Sequence, residues 1–408
     1  MKSIPERTIE VLFLLVLLIF FSCSRDDPDP THPVSIDNLS GLAQKGPYQN
    51  GTAINVAELT AGLIQTGRNF NAQISDNRGS FQMQDINLSS QFVELSADGF
   101  YFNEVSGEPS SARLILYALS DLEDKNTLNV NLLSHLERER VYHLYAEGMA
   151  FTEAKKQAQQ EVLEIFSISK SDMPESEVLD ISQKGDDHAI LLAVSLILQG
   201  HRSVAELSEL LAEINLDIRE DGELNSYTIG TALINHAIWL NLSTIRENLE
   251  NRYEETGMEV TLPDFEKYID QFIQNSGFVA TAQIEYPEFS DYGENILFGD
   301  KTVFKKETQY SMAADIPPGA QLTIRLSGGL WGYETLPDGP VNWNVSDYDW
   351  EFESQVFSSI ESEKSCDLKI IFLADTTSTG EGILVEYFED RSEIPARTKV
   401  IHLEESYE

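Results

Sequence analysis

The hydrophobic period switches twice along this 408-residue chain, and that switch constrains the fold more than any other feature. Between about residues 41 and 120 the runs are short and strand-like: residues 53–59 alternate around Ile54 and Val56, residues 92–97 (FVELSA) and 100–105 (FYFNEV) flank a turn, and residues 114–118 are one more short apolar run. A period of two is that of a half-buried strand. From Asn129 the period becomes helical, with Leu132, Leu133, Leu136, Val141 and Leu144 separated by charged residues. From Phe278 the alternation returns. The pattern predicts a multi-domain α+β protein. Residues 41–128 are expected to form a β-sandwich, 129–277 an all-α helical domain, and 278–408 a second sandwich, immunoglobulin-like in broad shape.

Local signals fill in the elements. Asn50-Gly51 and residues 75–79 suit tight turns. Asp98-Gly99 is expected to turn residues 92–97 back onto 100–105 as a hairpin. Gly148 stops the first helix, and Thr152 is placed to cap the next, whose apolar face holds Ala154, Ala158, Val162 and Ile165. Residues 189–198 (AILLAVSLIL) are apolar nearly all round, as in a central helix ending at Gly200. Ser203 and Glu206 have capping-box spacing. Later helices are expected over 226–240 and 243–255, with a last one opening at Thr261-Leu262-Pro263. In the C-terminal region strands are expected at 280–285, 301–305, 321–326, 350–357, 368–373, 383–388 and 398–403, with turns at 317–319 and 336–340.

The N-terminus bears on location. After Lys2 and Arg7, residues 11–21 are an unbroken apolar run. It suits a signal-peptide core and is short of the ~20 residues that span a bilayer. Phe20-Phe21-Ser22-Cys23 resembles a lipoprotein signal, in which Cys23 becomes the acylated first residue after cleavage. Residues 1–22 are then the signal, and 23–40 a tether. The acidic run Asp26-Asp27-Pro28-Asp29-Pro30 resembles the export signal of lipoproteins carried to the outer face of an outer membrane. With 28 basic and 68 acidic residues the net charge is −40, which argues against nucleic acid as a partner. Membrane attachment would rest on acyl chains. If Cys23 carries lipid, Cys366 has no partner within the chain, and the fold must stand on its core.

Several segments together look like one recurrent unit: residues 41–48 (GLAQKGPY), 67–71, 79–81, 97–105 (ADGFYFNEV) and 154–158. They resemble the N-terminal half of Bacteroidetes-type bacterial surface lipoproteins with a carboxypeptidase-regulatory-like β-sandwich. The resemblance covers about residues 41–166. It implies fold and setting and carries over no catalytic residues.

Chemistry-bearing constellations are few. Residues 217–228 (DIREDGELNSYT) half resemble an EF-hand loop, but Arg219 takes the third place and Thr228 the twelfth, where calcium needs a bidentate carboxylate. A helix–helix turn with Asp221-Gly222 at its tip and Ser226 as cap is the expectation. Asp186-Asp187-His188 suits a helix start. His135 and His143 lack zinc-motif company. The chain has no HExxH, GxxxxGK[ST], GxSxG or CxxC. No metal, no cofactor and no catalytic residue is assigned. Trp331, Tyr333, Trp343, Tyr348 and Trp350 cluster in a Gly/Pro-rich region, where rings on loops could stack on sugars or anchor a protein. The expectation is a non-catalytic binding or adhesion lipoprotein at the cell surface, with a glycan or an envelope protein as partner. The alternatives are an assembly lipoprotein docking through its helices, or a glycan hydrolase.

Overall fold

The computed structural model describes residues 31–284 throughout, and beyond them the strands and short connections of residues 292–405 given below. The architecture is mixed α+β, with an N-terminal β-sheet region followed by a helical region. By packing the chain divides into two compact units. The first comprises residues 1–102, 112–180 and 212–224, and the second 103–111, 181–211 and 225–408. These cuts differ from the three-segment division of the sequence, because the first two helices are built onto the N-terminal strands.

In the first unit β1 (Val34–Gln44) pairs antiparallel with β4 (Ser80–Leu88) and parallel with the short β9 (Val130–Asn131). A second sheet has the order β3-β2-β5-β8, all antiparallel, from β2 (Ala53–Leu59), β3 (Gln65–Gln73), β5 (Phe92–Gly99) and β8 (Leu114–Asp121). Strands β6 (Phe102–Asn103) and β7 (Glu108–Pro109), which but for Phe102 belong to the second unit, form a separate two-stranded ribbon. The central β5 is buried or half-buried at every position, although Val93, Leu95 and Ala97 alternate with Glu94, Ser96 and Asp98 along it. Gly41 lies where β1 presses on the segment before β9: a Cβ there would stand 1.9 Å from the Leu128 carbonyl oxygen.

Helix α1 (Leu132–Ala146) starts at a reciprocal cap: Asn131 Oδ1 accepts from the Ser134 amide and Ser134 Oγ from the Asn131 amide, each at 3.0 Å. Gly148, at φ +97°, ends the turn that follows, and α2 (Phe151–Ile165) returns alongside. Leu59, Phe92 and Leu119 from the sheet share one core with Val141 and Leu144 of α1 and Phe151, Ala154 and Ala158 of α2. His135 is half-buried, its ring stacked on Tyr117 of β8 with centroids 5.9 Å apart.

The second unit holds α3 (Asp186–Gln199), α5 (Tyr227–Ala237), α6 (Leu242–Glu255) and α7 (Glu266–Asn275), while α4 (Val204–Ile218) contributes to both units. Every residue of α3 from Ala189 onward is buried, as its uniform apolarity requires. Acidic Asp186 and Asp187 occupy its first turn, where they complement the helix dipole, and Gly200 at φ +47° ends it. The Ser203–Glu206 capping box is formed. Beyond the helices, β13 (Leu330–Asp338), β15 (Cys366–Asp375), β11 (Lys301–Met312), β10 (Tyr292–Phe298) and β18 (Glu404–Glu405) make one sheet in that order. Strands β14 (Gln355–Ser358), β12 (Gln321–Ser327), β16 (Ile383–Glu389) and β17 (Arg397–Ile401) make another.

Five expectations are corrected. The Asp98-Gly99 hairpin does not form: β5 runs straight through both residues, paired to β2 and β8. Gly99 is required for close approach, since a Cβ would meet the Thr52 hydroxyl at 2.0 Å, and Phe102 instead donates its amide to the Pro47 carbonyl. Thr152 is not a cap; α2 begins one residue earlier, drawn by Phe151, whose ring packs 4.9 Å from Phe92. The last helix opens at Glu266. Residues 280–284 are not a strand, because Asn235 Oδ1 accepts the amides of Thr281 and Ala282 at 2.8 and 3.0 Å in place of a ladder. In the C-terminal region β10 and β13 were not anticipated, and β13 continues through Pro337, where a turn was expected.

Candidate functional site

The sequence candidates are only partly placed. Cys23, Trp343, Tyr348 and Trp350 lie outside the described residues. Trp331 and Tyr333 belong to β13, beside a register irregularity between Leu330 and Gly332, so they sit on a strand and not on the loop the Gly/Pro content suggested. The half EF-hand is a helix–helix turn: Gly222 takes φ +80° at its tip and Ser226 Oγ accepts the Ile229 amide. Two of its backbone carbonyls are held by a side chain. Arg140, buried on α1, donates from Nη1 to the carbonyls of Arg219 and Glu220 (3.2 and 2.6 Å), and its Nε and Nη2 grip Glu161 bidentately (2.7 and 3.0 Å). A guanidinium thus fixes two carbonyls of the turn that follows α4. Among the described residues no group of three or more His, Cys, Asp or Glu side chains is placed to bind a metal. Nor is any single helix there long and apolar enough to cross a membrane.

The first unit carries a solvent-open cleft of about 220 Å³ where β8 ends and α2 begins. Its walls follow from local structure. Asp121 closes β8 and turns the chain by accepting the Glu123 amide at 2.8 Å; Asp124 follows in the left-handed region at φ +57°, which Asp tolerates better than most residues. Lys125 reaches across to Glu175 at 2.5 Å. On the other side stand Phe151 and Thr152, in the first turn of α2, whose N-cap Ala150 offers no side-chain acceptor. Lys155, one turn further on, completes the wall.

Lys155 also joins the cleft to a buried polar network. Its ammonium pairs with Glu137 of α1 at 2.9 Å and with Glu177 in the one-turn helix Ser176–Val178. All three side chains are almost fully buried. Ser176 Oγ bonds Glu137 Oε1 and accepts from Gln159 Nε2 at 3.0 Å. Asn129 and Asn131 tie the same segment down, donating from Nδ2 to the carbonyls of Leu179 and Ser176 at 3.0 and 2.7 Å. Burial opposes the charge on Lys155, but the two carboxylates outweigh it and hold the ammonium above its ordinary range. Burial pushes the Glu137 carboxyl up to about 7, against the pull of Lys155.

The cleft is therefore polar and negative. Asp121, Glu123, Asp124 and Glu175 face two ammonium groups, and both ammonium groups are already in ion pairs. Such a lining repels anions and offers acceptors to hydroxyl or amine hydrogens. The sequence marked none of these residues, because acidic side chains are common throughout the chain. The only usable signal was Lys155 on the apolar face of α2, next to Ala154 and Ala158. Compared with known proteins, the chain matches no family model, no curated protein and no solved structure.

Proposed function

We propose that this chain is a non-catalytic binding lipoprotein, held by lipid on Cys23 at the outer face of an outer membrane, that captures a neutral hydroxylated ligand such as a glycan. The location rests on the apolar run, Ser22-Cys23 and the acidic tether. The binding role rests on one observation above the others, the open acceptor-lined cleft between β8 and α2. At about 220 Å³ it is below the ~300–1,000 Å³ of drug-sized sites, which suits a single sugar ring or chain end. In this reading the N-terminal sheets are a carboxypeptidase-regulatory-like sandwich and the C-terminal sheets an immunoglobulin-like one. Trp331, Tyr333, Trp343, Tyr348 and Trp350 provide a second contact surface there.

Two experiments test it. Cys23→Ala should move the protein out of the membrane fraction; a wild type without lipid and a variant that still pellets would refute the anchor. On a glycan array the full chain should give sugar-selective signal that falls at least tenfold in Asp121→Asn/Glu123→Gln with thermal stability kept. Signal lost instead in Trp331→Ala, with stability kept, would move the site to β13. No selective signal, with one envelope protein co-purifying from intact membranes, would favour the assembly role.

A further inference from the structure

The buried network has an unbalanced count. Two carboxylates, Glu137 and Glu177, surround one ammonium, Lys155, and each of the three is at most 6% exposed. Fully ionised, the trio would bury a net negative charge, which costs several kcal/mol in a protein interior. Among the described residues no second cation is paired with the trio. Facing Glu137 are Lys155 and Gln159 from α2, and Ser176 and Glu177 from the connector. From β9 comes uncharged Asn131. Arg140, one turn along α1, is committed to Glu161 and to the carbonyls of Arg219 and Glu220. Arg138 pairs with Glu94 and Glu139, and His135 lies two positions back on α1, stacked on Tyr117 of β8. Lys125, at the cleft, is paired with Glu175. Among the described residues, Glu177 Oε2 has no hydrogen-bond partner at all.

We propose that the Glu137–Lys155–Glu177 trio takes up one proton from solvent as the chain folds, held on Glu137, and that this proton latches residues 174–180 onto α1 and α2. The proton makes the trio neutral: one carboxylic acid, one carboxylate, one ammonium. Ser176 Oγ can bond Glu137 Oε1 in either state, because a hydroxyl both donates and accepts. Glu137 is the better host, since Ser176 Oγ beside its Oε1 can turn to accept the proton, whereas Glu177 Oε2 has no neighbour to accept one. The elevated Glu137 pKa agrees with this. The latched segment also supplies Glu175 to the cleft wall, so loss of the proton loosens that wall along with Ser176 and Glu177. The latch goes beyond the binding role and does not depend on what the cleft binds.

The sign follows from linkage. A carboxyl whose pKa is raised on folding contributes stability at low pH, and that contribution is lost as pH rises through about 7. The test is an infrared difference spectrum of the full chain, wild type minus Glu137→Gln. A protonated-carboxyl stretch should be present at pH 6 and gone by about pH 8.5. In parallel, amide protection of residues 176–179 should fall by up to about tenfold per pH unit above that midpoint in the wild type, and stay flat in Glu137→Gln. The wild-type spectrum alone decides if the variant folds poorly: no titrating acid band overturns the proposal. A band that vanishes in Glu177→Gln and persists in Glu137→Gln overturns the assignment to Glu137. None of these outcomes depends on whether a glycan binds.

Discussion

Replacing Lys155 by Met removes the one cation of the buried trio while keeping most of its volume. Glu137 and Glu177 are then left with no cation between them. If Glu137 already holds a proton, Glu177 must acquire one as well. Bringing a carboxyl from its ordinary pKa of 4.5 to neutrality at pH 7 costs about 3.4 kcal/mol. That agrees with the ~3–5 kcal/mol typical of breaking a buried ion pair from one side. At pH 5 the same protonation costs under about 1 kcal/mol, so acid should rescue the variant. Lys155→Met/Glu137→Leu/Glu177→Leu should recover to within about 1–2 kcal/mol of the wild type, because no charge remains to be compensated. The assay is urea denaturation at pH 7 and pH 5. No tryptophan precedes Trp239 in the sequence, so the first unit, which ends at residue 224, is followed by amide exchange or tyrosine fluorescence. Equal loss at both pH values, or a triple variant no better than the single one, would refute the electrostatic argument.

Three further outcomes are expected. Gly41→Ala should cost about 3 kcal/mol or more, seen as a lower melting temperature, because β1 is paired on both sides and cannot retreat from the Leu128 carbonyl; a variant melting with the wild type would show that the strand gives way. His236 is driven down to about 3 by burial, with Arg202 and His201 adding to it, so its stabilising contribution is present above pH 6.5 and lost as pH falls toward 3. Tryptophan fluorescence should then show the second unit losing about 2 kcal/mol between pH 6.5 and 5 through this group, and His236→Gln should flatten the profile. Millimolar calcium, or a chelator, should shift the melting temperature by less than about 1 °C, since a ligand confined to the native state would raise it; a rise of several degrees abolished by Asp217→Ala would contradict the account of Arg140.

Local chemistry was legible wherever one residue type has one dominant use. Gly148, Gly200 and Gly222 end or turn helices as their sequence positions suggest, and the Ser203–Glu206 box forms. Gly99 misled because glycine serves two purposes. A turn and a close approach look alike in sequence, and only Thr52, forty-seven positions away, decides between them. Thr152 misled because a large aromatic anchored in a distant core, Phe151 against Phe92, outweighs a cap worth about 1 kcal/mol. The cleft was invisible for a different reason. Its walls come from the end of β8, the start of α2 and the 3₁₀ segment, and no local pattern records that these meet. Glu137 and Glu177 are two acids among 68, and their burial is a property of the packed structure alone.

Arg140 has a consequence for a chain that would work outside the cell. A loop organised by a bound metal is only as ordered as the surrounding medium allows, since dilution, competing ions or a chelator can empty it. Here the positive charge is covalently part of α1, so its effective concentration at the Arg219 and Glu220 carbonyls is set by the fold and not by the solution. A body of net charge −40 would attract whatever cations the environment supplies. By carrying its own, the turn after α4 needs no ion from solution to hold the Arg219 and Glu220 carbonyls.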